Sequence, residues 1–186
     1  MEIRAATDVD RDAVWKIFHE VVAAGDTYAL DPNISREDAL AYWFATGTHT
    51  YVAEIDRESV GEADSFPGTG SPFPTANPNH LTVGTYILRP NQSGGGSHVA
   101  NAAFMVATSA RGQGIGRAMA EHCLSEAHRL GFRAMQFNYV ISTNIAAIRL
   151  WQDLGFEIVG KLRGAFRHPA KGYVDAYVMY RPLVER

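Results

Sequence analysis

The sequence predicts a single domain of the α/β (α+β) class. Its 186 residues are close to the ~150 residues that one domain commonly takes, so we expect one domain over residues 1–186. Hydrophobic residues make up 46% of the chain and charged residues 20%, which is typical of globular proteins and argues against disorder. Stretches with strand periodicity and stretches with helical periodicity follow one another in the order β-α-α-β-β-β-α-β-α-β-β.

The first third of the chain contains two predicted helices between two strands. Residues 2–6 begin with alternating polar and apolar residues, and apolar residues at helical spacing follow over 14–22. The breaking triplet 31–33 separates this helix from a second one, which includes the apolar cluster 40–44. Residues 50–55 are rich in β-branched and aromatic types and predict a strand.

A Gly-rich and Pro-rich segment interrupts the middle of the chain. Residues 61–80 contain four prolines, which cannot donate backbone hydrogen bonds to a sheet, so we expect an insertion loop. Strand-like residues 81–89 and 98–107 flank the triplet Gly94-Gly95-Gly96. This arrangement favours an antiparallel hairpin with a flexible connection.

The second half of the chain alternates between helix and strand. Residues 114–130 place apolar side chains four apart, as on one helix face, and a glycine follows. Residues 133–141 alternate as a strand, and 144–154 predict a short helix that also ends at a glycine. Two further strands are predicted over 157–162 and 173–180.

Composition excludes several classes of partner. The chain has 17 Lys plus Arg against 20 Asp plus Glu, with a net charge of -3, and its basic residues are scattered, so we expect no nucleic-acid partner. No apolar stretch approaches the ~20 residues that span a bilayer, and the first residues lack a signal-peptide core. We therefore expect no membrane partner and a cytoplasmic location. Cys123 is the one cysteine of the chain, so we expect no disulfide within it, and we expect the Cys123 side chain to be a small buried group.

A glycine-rich turn joins a predicted strand to a predicted helix over residues 106–117. The first N–H groups of a helix have no internal partner, so the turn offers a seat for a pyrophosphate, with Arg111 and Arg117 adding charge. Alternatively, the glycines of this segment only relieve steric crowding in a tight turn that binds no ligand. A P-loop is excluded by spacing, and a Rossmann fingerprint would need a glycine at Arg117 and an acid near Asn138.

Two motifs resemble those of the Gcn5-related N-acetyltransferases (GNAT). The pattern R-x-x-G-x-G over residues 111–116 resembles the acetyl-CoA pyrophosphate loop of that family. The pattern N-x-x-A-x-x-x-W-x-x-x-G-F over residues 144–156 matches the second family motif at every spacing, with tryptophan in place of tyrosine. The predicted order of strands and helices fits the same fold, so the resemblance covers essentially the whole chain.

The resemblance implies a GNAT-like mixed sheet, mostly antiparallel, with a central parallel strand pair that splays apart. The strands at 98–107 and 133–141 would form this pair, and the pantetheine arm would bind between them like an added strand. Acetyl-CoA is the implied co-substrate. Its implied binding residues are Phe104, Met105, Val106, Arg111, Gly112, Gln113, Gly114, Ile115, Gly116, Arg117, Asn144, Ala147 and Trp151.

The resemblance also implies direct attack of an amine on the thioester, with the oxyanion stabilised by a backbone N–H, here that of Val106. Trp151 stands where the family often has a proton-donating tyrosine, and an indole N–H is too weak an acid for that role. The thiolate either leaves unprotonated, which costs little for a thiol of pKa ~8.5, stabilised by Asn144 or water, or another group donates. Asn144 as a simple helix cap and Trp151 as a packing residue remain alternatives.

The sequence identifies neither a general base nor a metal site. No carboxylate lies on the predicted cleft strands, and Glu54, Glu62 and Asp175 could act only if the fold brings them near. A chain of waters is the alternative base. The seven histidines show no compact ligand spacing, so we predict no metal.

Residues 91–104, together with Asn138 and Asn144, resemble the fungal acetyltransferases that act on L-azetidine-2-carboxylate. This resemblance implies that Asn101 and Asn138 act in the cleft and bind a small amine acceptor. Residues 25–28 and 42–44 lie between the first two helices, in the region that usually shapes the acceptor pocket in this fold, and Tyr28 and Trp43 are its candidate residues. Burial of most of these aromatic side chains in the core is the alternative.

Four alternatives to a small amino-acid acceptor stay open. They are a xenobiotic amine, an amino-acid herbicide of the phosphinothricin type, a protein N-terminus, and a non-catalytic module that only binds acyl-CoA. Because members of the family often dimerise, the resemblance also implies that a homodimer can form.

Overall fold

The strands and helices follow the predicted order along the chain. The structure is a computed structural model, and it describes residues 1–57 and 79–184. The strands are β1 (Glu2–Ala5), β2 (His49–Asp56), β3 (His80–Pro90), β4 (Val99–Val106), β5 (Ala134–Ile141), β6 (Glu157–His168) and β7 (Gly172–Pro182). The helices are α1 (Arg11–Ala23), α2 (Arg36–Trp43), α3 (Ile115–Arg129) and α4 (Ile145–Asp153). The predicted insertion loop lies outside the described residues as far as residue 78.

The strands form one seven-stranded sheet in the order β1-β2-β3-β4-β5-β7-β6. Every neighbouring pair is antiparallel except β4 and β5, which are parallel. These two strands pair only at Val99 with Ala134 and at Ala100 with Met135. They diverge toward their carboxyl ends, which confirms the predicted splayed pair.

Helix α3 buries the residues that lie four apart in the sequence. Ile115, Met119, Cys123 and Ala127 are each at most 2% exposed, and the helix packs on β3 and β4. Burial raises the pKa of the Cys123 thiol. The packing fixes the first turn of α3 beside the end of β4. None of the described helices is long and apolar enough to cross a membrane.

The hairpin of β6 and β7 is longer than the sequence indicated. We predicted that the first strand ends at Leu162, whereas β6 continues to His168. The register of the pair shifts between Leu162 and Phe166, and Gly164 has a φ of +57°, a conformation that favours glycine. This bulge interrupts the alternation of side chains, so the sequence pattern ends before the strand does.

Candidate active site

A cleft of about 620 Å³ opens where β4 and β5 diverge. The turn before α3 and the start of α4 line the cleft near the carboxyl end of β4. Arg89, which lies opposite Asn101 in the β3–β4 register, lines the cleft where the two strands begin to part. The six-residue stretch from Asn101 to Val106 spans about 17 Å in a strand. The cleft therefore suits an extended ligand that lies along β4.

Two glycines shape the turn before α3. Gly112 has a φ of +79° and Gly114, the N-cap of α3, has a φ of +80°. No heavy atom lies within 4 Å of a Cβ placed at either position, so the backbone conformation, not crowding, requires glycine here. The turn presents free helix N–H groups beside the cleft, and Arg111 also lines it. These residues fit a bound pyrophosphate.

The structure separates two of the predicted cofactor residues from the cleft. Arg117 lies outside the cleft lining and its Nη2 is 2.7 Å from the Asp153 carboxylate on α4. Gln113 is exposed, and its amide donates to the Ser109 carbonyl at 3.4 Å. The expected charge-assisted contact of the Arg117 side chain with the pyrophosphate is therefore not supported, because that side chain is paired with Asp153. Binding of the pyrophosphate by the backbone amides of Gln113 and Arg117 stays a prediction.

Asn144 caps α4 and also lines the cleft. Its Oδ1 accepts a hydrogen bond from the Ala147 N–H at 3.2 Å, which matches the N-cap alternative. Because the oxygen is used in the cap, the amino group is the end that remains for the cleft. Ala147 lines the cleft as well.

Trp151 is a packing residue at the cleft wall. Its side chain is 8% exposed, and its ring centroid lies 4.6 Å from that of Phe137 and 5.0 Å from that of Phe104. This aromatic cluster holds α4 against β4 and β5 and matches the packing alternative.

The peptide groups of Phe104 face the cleft instead of β3. The Phe104 N–H donates to the Tyr28 hydroxyl at 3.0 Å, and the hydroxyl donates to the Phe104 carbonyl at 2.5 Å. By contrast, the N–H of Ala107 donates to Val83 on β3 at 2.9 Å. Since hydrogen-bonding direction alternates along a strand, Val106 presents its N–H on the same side as Phe104. Burial raises the pKa of Tyr28.

Asn101 and Asn138 both line the cleft, and each also binds within the protein. The Asn101 amide donates to the Gln136 carbonyl at 2.9 Å. The Asn138 amide donates to the Asn91 side chain at 2.7 Å and accepts from the Gln136 side chain at 2.8 Å. Each carboxamide keeps unused donor and acceptor capacity for an acceptor molecule.

Trp43 does not belong to the acceptor pocket, so this expectation was wrong. Its side chain is fully buried, and its indole N–H donates to the Thr85 hydroxyl at 3.0 Å. The ring packs edge-on against Phe18 with centroids 5.4 Å apart. The adjacent Tyr42 lines the cleft instead, because successive residues of a helix point about 100° apart.

Sequence reasoning missed Arg89 as a cleft residue, whereas Thr27 and Tyr42 lie in the two stretches that were expected to shape the acceptor pocket. The Arg89 guanidinium donates to the Tyr42 hydroxyl at 3.1 Å and lies 4.8 Å from the centroid of its ring. The Thr27 hydroxyl is buried and has no hydrogen-bond partner among the described residues. The signal that could have found Arg89 is its position at the end of a buried strand that neighbours a predicted cleft strand.

The charges in the cleft are few. Among the described residues that line it, Arg89 and Arg111 are charged, and none is Asp, Glu or His. Two of the suggested bases lie in ion pairs elsewhere: Glu54 with Arg4 at 2.6 Å and Asp175 with Lys161 at 2.7 Å. Glu62 lies outside the described residues.

One group of described side chains has ligand atoms close enough to surround a cation. Glu2, Glu54 and His80 offer atoms within 4.8 Å of one another. Glu54 is already held by Arg4, and His80 lies 2.9 Å from Asp56. We predicted that the reaction uses no metal ion, and this stays a prediction.

Comparison of the sequence with known protein families identifies the family to which the chain, and therefore its cleft, belongs. The sequence profile of the "Acetyltransferase (GNAT) family" matches residues 23–156, which is more than half of the chain. The chain belongs to the GNAT family. This GNAT protein is therefore an acetyl-CoA-dependent acyltransferase, and acetyl-CoA is its co-substrate. The family and the fold expected from the two motifs are confirmed.

Individual relatives support the same assignment. N-acetyltransferase aca1 of Schizosaccharomyces pombe is 34% identical over 158 residues, which are 84% of this GNAT chain and 72% of that protein. A GCN5-related N-acetyltransferase from Kribbella flavida has a structure with a TM-score of 0.81 and 40% identity, covering 97% of this chain and 96% of that one. The fold is also that of yncA from Salmonella typhimurium, solved with its cofactor acetyl-CoA, at 22% identity, a TM-score of 0.79 and coverage of 100% and 95%.

Proposed function

We propose that this GNAT protein acetylates the nitrogen of a small amino acid, with L-azetidine-2-carboxylate as the first acceptor to test. The position of Arg89 carries the proposal. Arg89 is partly buried and lines the cleft opposite Asn101. A guanidinium in such a site binds a carboxylate through paired charge-assisted hydrogen bonds.

The polar groups near Arg89 suit the rest of such an acceptor. Asn101 and Asn138 offer amide groups, and Thr27 offers a buried hydroxyl that lacks a partner among the described residues. A bound molecule would satisfy that hydroxyl. Polyamines and aminoglycosides are disfavoured, because the described lining holds two arginines and no carboxylate to attract a polycation.

The reaction forms a C–N bond and breaks the thioester C–S bond. The neutral amine attacks the acetyl carbon, and a β4 peptide N–H that faces the cleft, that of Phe104 or that of Val106, stabilises the oxyanion. The proton of the amine goes to water, since the described lining contains neither carboxylate nor histidine. The CoA sulfur leaves as a thiolate, with the Asn144 amino group as its hydrogen-bond donor.

The experiment measures thiol release from acetyl-CoA with L-azetidine-2-carboxylate and with its uncharged carboxamide. We expect release with the amino acid and much slower release with the carboxamide. Arg89→Gln should raise the KM of the amino acid roughly 10- to 100-fold, since a hydrogen bond to a charged group is lost. The KM of acetyl-CoA should stay the same in this variant. The matched control is Arg167→Gln, which makes the same change at an exposed position of β6.

Three results would contradict the proposal. Equal rates with the acid and the carboxamide would show that no carboxylate is recognised. Release only with a peptide N-terminus or a xenobiotic amine would change the acceptor class. Binding of acetyl-CoA without release over the whole panel would favour a non-catalytic acyl-CoA-binding module.

The predicted homodimer and cytoplasmic location stay predictions. The homodimer is supported by exposed apolar side chains on the edge strand β6, since Ile158, Val159 and Leu162 are 41%, 57% and 41% exposed. Exposed apolar side chains on an edge strand, which has a neighbour on one side only, are typical of an association surface.

A further inference from the structure

The hydroxyl of Tyr28 forms hydrogen bonds with both the N–H and the C=O of Phe104, which face the cleft. It accepts from the N–H at 3.0 Å and donates to the carbonyl at 2.5 Å. Tyr28 belongs to the connection between α1 and α2, far from β4 in the sequence. One side chain thus links the acceptor side of the cleft to the strand on which acetyl-CoA lies.

Acetyl-CoA needs the same stretch of β4. Val106 is nearer to the pyrophosphate turn. Phe104 lies two residues toward the start of β4, about 7 Å farther from that turn. The part of the extended arm that reaches Phe104 is therefore its acyl end. A peptide N–H has one hydrogen, so it cannot bond fully to a thioester carbonyl and to Tyr28 together.

We propose that the Tyr28 hydroxyl is a placeholder for the acyl carbonyl of acetyl-CoA. It satisfies the partly buried N–H and C=O of Phe104 while no acyl group is present, and it releases the N–H when the acyl group arrives. This explains why a tyrosine is useful where phenylalanine would fill the same volume, because peptide groups that are shielded from water and left unpaired are costly. The proposal rests on acetyl-CoA binding and not on the identity of the acceptor.

The test is the variant Tyr28→Phe, with binding measured by calorimetry in the absence of any acceptor. The ligands are acetyl-CoA and its thioether analogue S-ethyl-CoA, which has two carbons but no carbonyl oxygen. We expect Tyr28→Phe to bind acetyl-CoA about three- to tenfold more tightly than the unmodified protein, since the competing hydrogen bonds are removed. Binding of S-ethyl-CoA should be unchanged.

The control is Tyr51→Phe, which removes a hydroxyl bonded to Glu126 at 2.6 Å, outside the cleft lining, and should change neither affinity. Weaker binding of acetyl-CoA to Tyr28→Phe, or an equal change for both ligands, would overturn the proposal. If Tyr28→Phe does not fold, the amide resonance of Phe104 in ¹⁵N-Phe-labelled unmodified protein decides. It should move with acetyl-CoA and not with S-ethyl-CoA, and equal movement would overturn the proposal.

Discussion

Asn144 has two separable roles, and a pair of substitutions can distinguish them. Its Oδ1 caps α4 through the Ala147 N–H at 3.2 Å, and the loss of such a cap costs about 1 kcal/mol. For a chain of this length, that lowers Tm by about 2–4 °C. Its amino group is the candidate donor to the departing thiolate, and a hydrogen bond to a charged group contributes about 1.5–3 kcal/mol. Asn144→Ala should therefore lower kcat roughly 10- to 100-fold and change acetyl-CoA affinity little.

Asn144→Asp isolates the catalytic role. Aspartate caps a helix as well as asparagine does, so Tm should return to that of the unmodified protein. The carboxylate cannot donate to a thiolate and repels it, so kcat should stay as low as in Asn144→Ala or fall further. Thermal unfolding and steady-state thiol release at saturating acetyl-CoA measure the two effects. Recovery of kcat together with Tm in Asn144→Asp would refute the reasoning and reduce Asn144 to a cap.

Two further predictions concern the acceptor site and the fold. Asn101→Ala and Asn138→Ala should each raise the KM of the acceptor with little effect on acetyl-CoA binding, and an unchanged acceptor KM in both would remove these residues from the site. Arg4→Met should destabilise the protein by about 3–5 kcal/mol, because it removes the guanidinium that pairs with the buried carboxylates of both Asp10 and Glu54. The Arg4 guanidinium holds the pKa of Asp10 below its usual value, so this stabilisation is present above the unfolded-state pKa and is lost as pH falls through the lowered one. Chemical denaturation between pH 7 and pH 3 should show the deficit of Arg4→Met shrinking in acid.

The sequence predicts the parts of the site that depend on local spacing. The turn is defined without any long-range contact by the glycines at positions 112 and 114 and by the four-residue spacing of α3. The structure shows that both glycines have a left-handed backbone. The bulge at Gly164 was missed because it interrupts the alternation by which a strand is recognised. Within residues 42–44, Trp43 was chosen for the pocket although Tyr42 lines it. Adjacent aromatic residues on a short helix differ only in direction, and that direction depends on the packing of α2.

One cleft residue, Arg89, and one cleft contact, that of Tyr28 with Phe104, escaped prediction, and both depend on tertiary structure. Arg89 enters the site because β3 pairs with β4 in one register, which places it opposite Asn101. Tyr28 reaches Phe104 across a separation that no local pattern reports. Side chains of this kind need the strand register or a known fold before they can be assigned.

Strands β4 and β5 are joined by only two residue pairs, so the sheet consists of two well-paired parts with a weak connection between them. Strands β1 to β4 form one antiparallel block and β5 to β7 form another, while the seam between them has pairs only at its start. An opening that spreads from this seam breaks few ladder bonds, so amide protons there exchange with solvent at a lower free energy than those inside either block. A ligand lying in the seam joins the blocks, and at 100 times its Kd it adds about 2.7 kcal/mol to the stability of the whole domain.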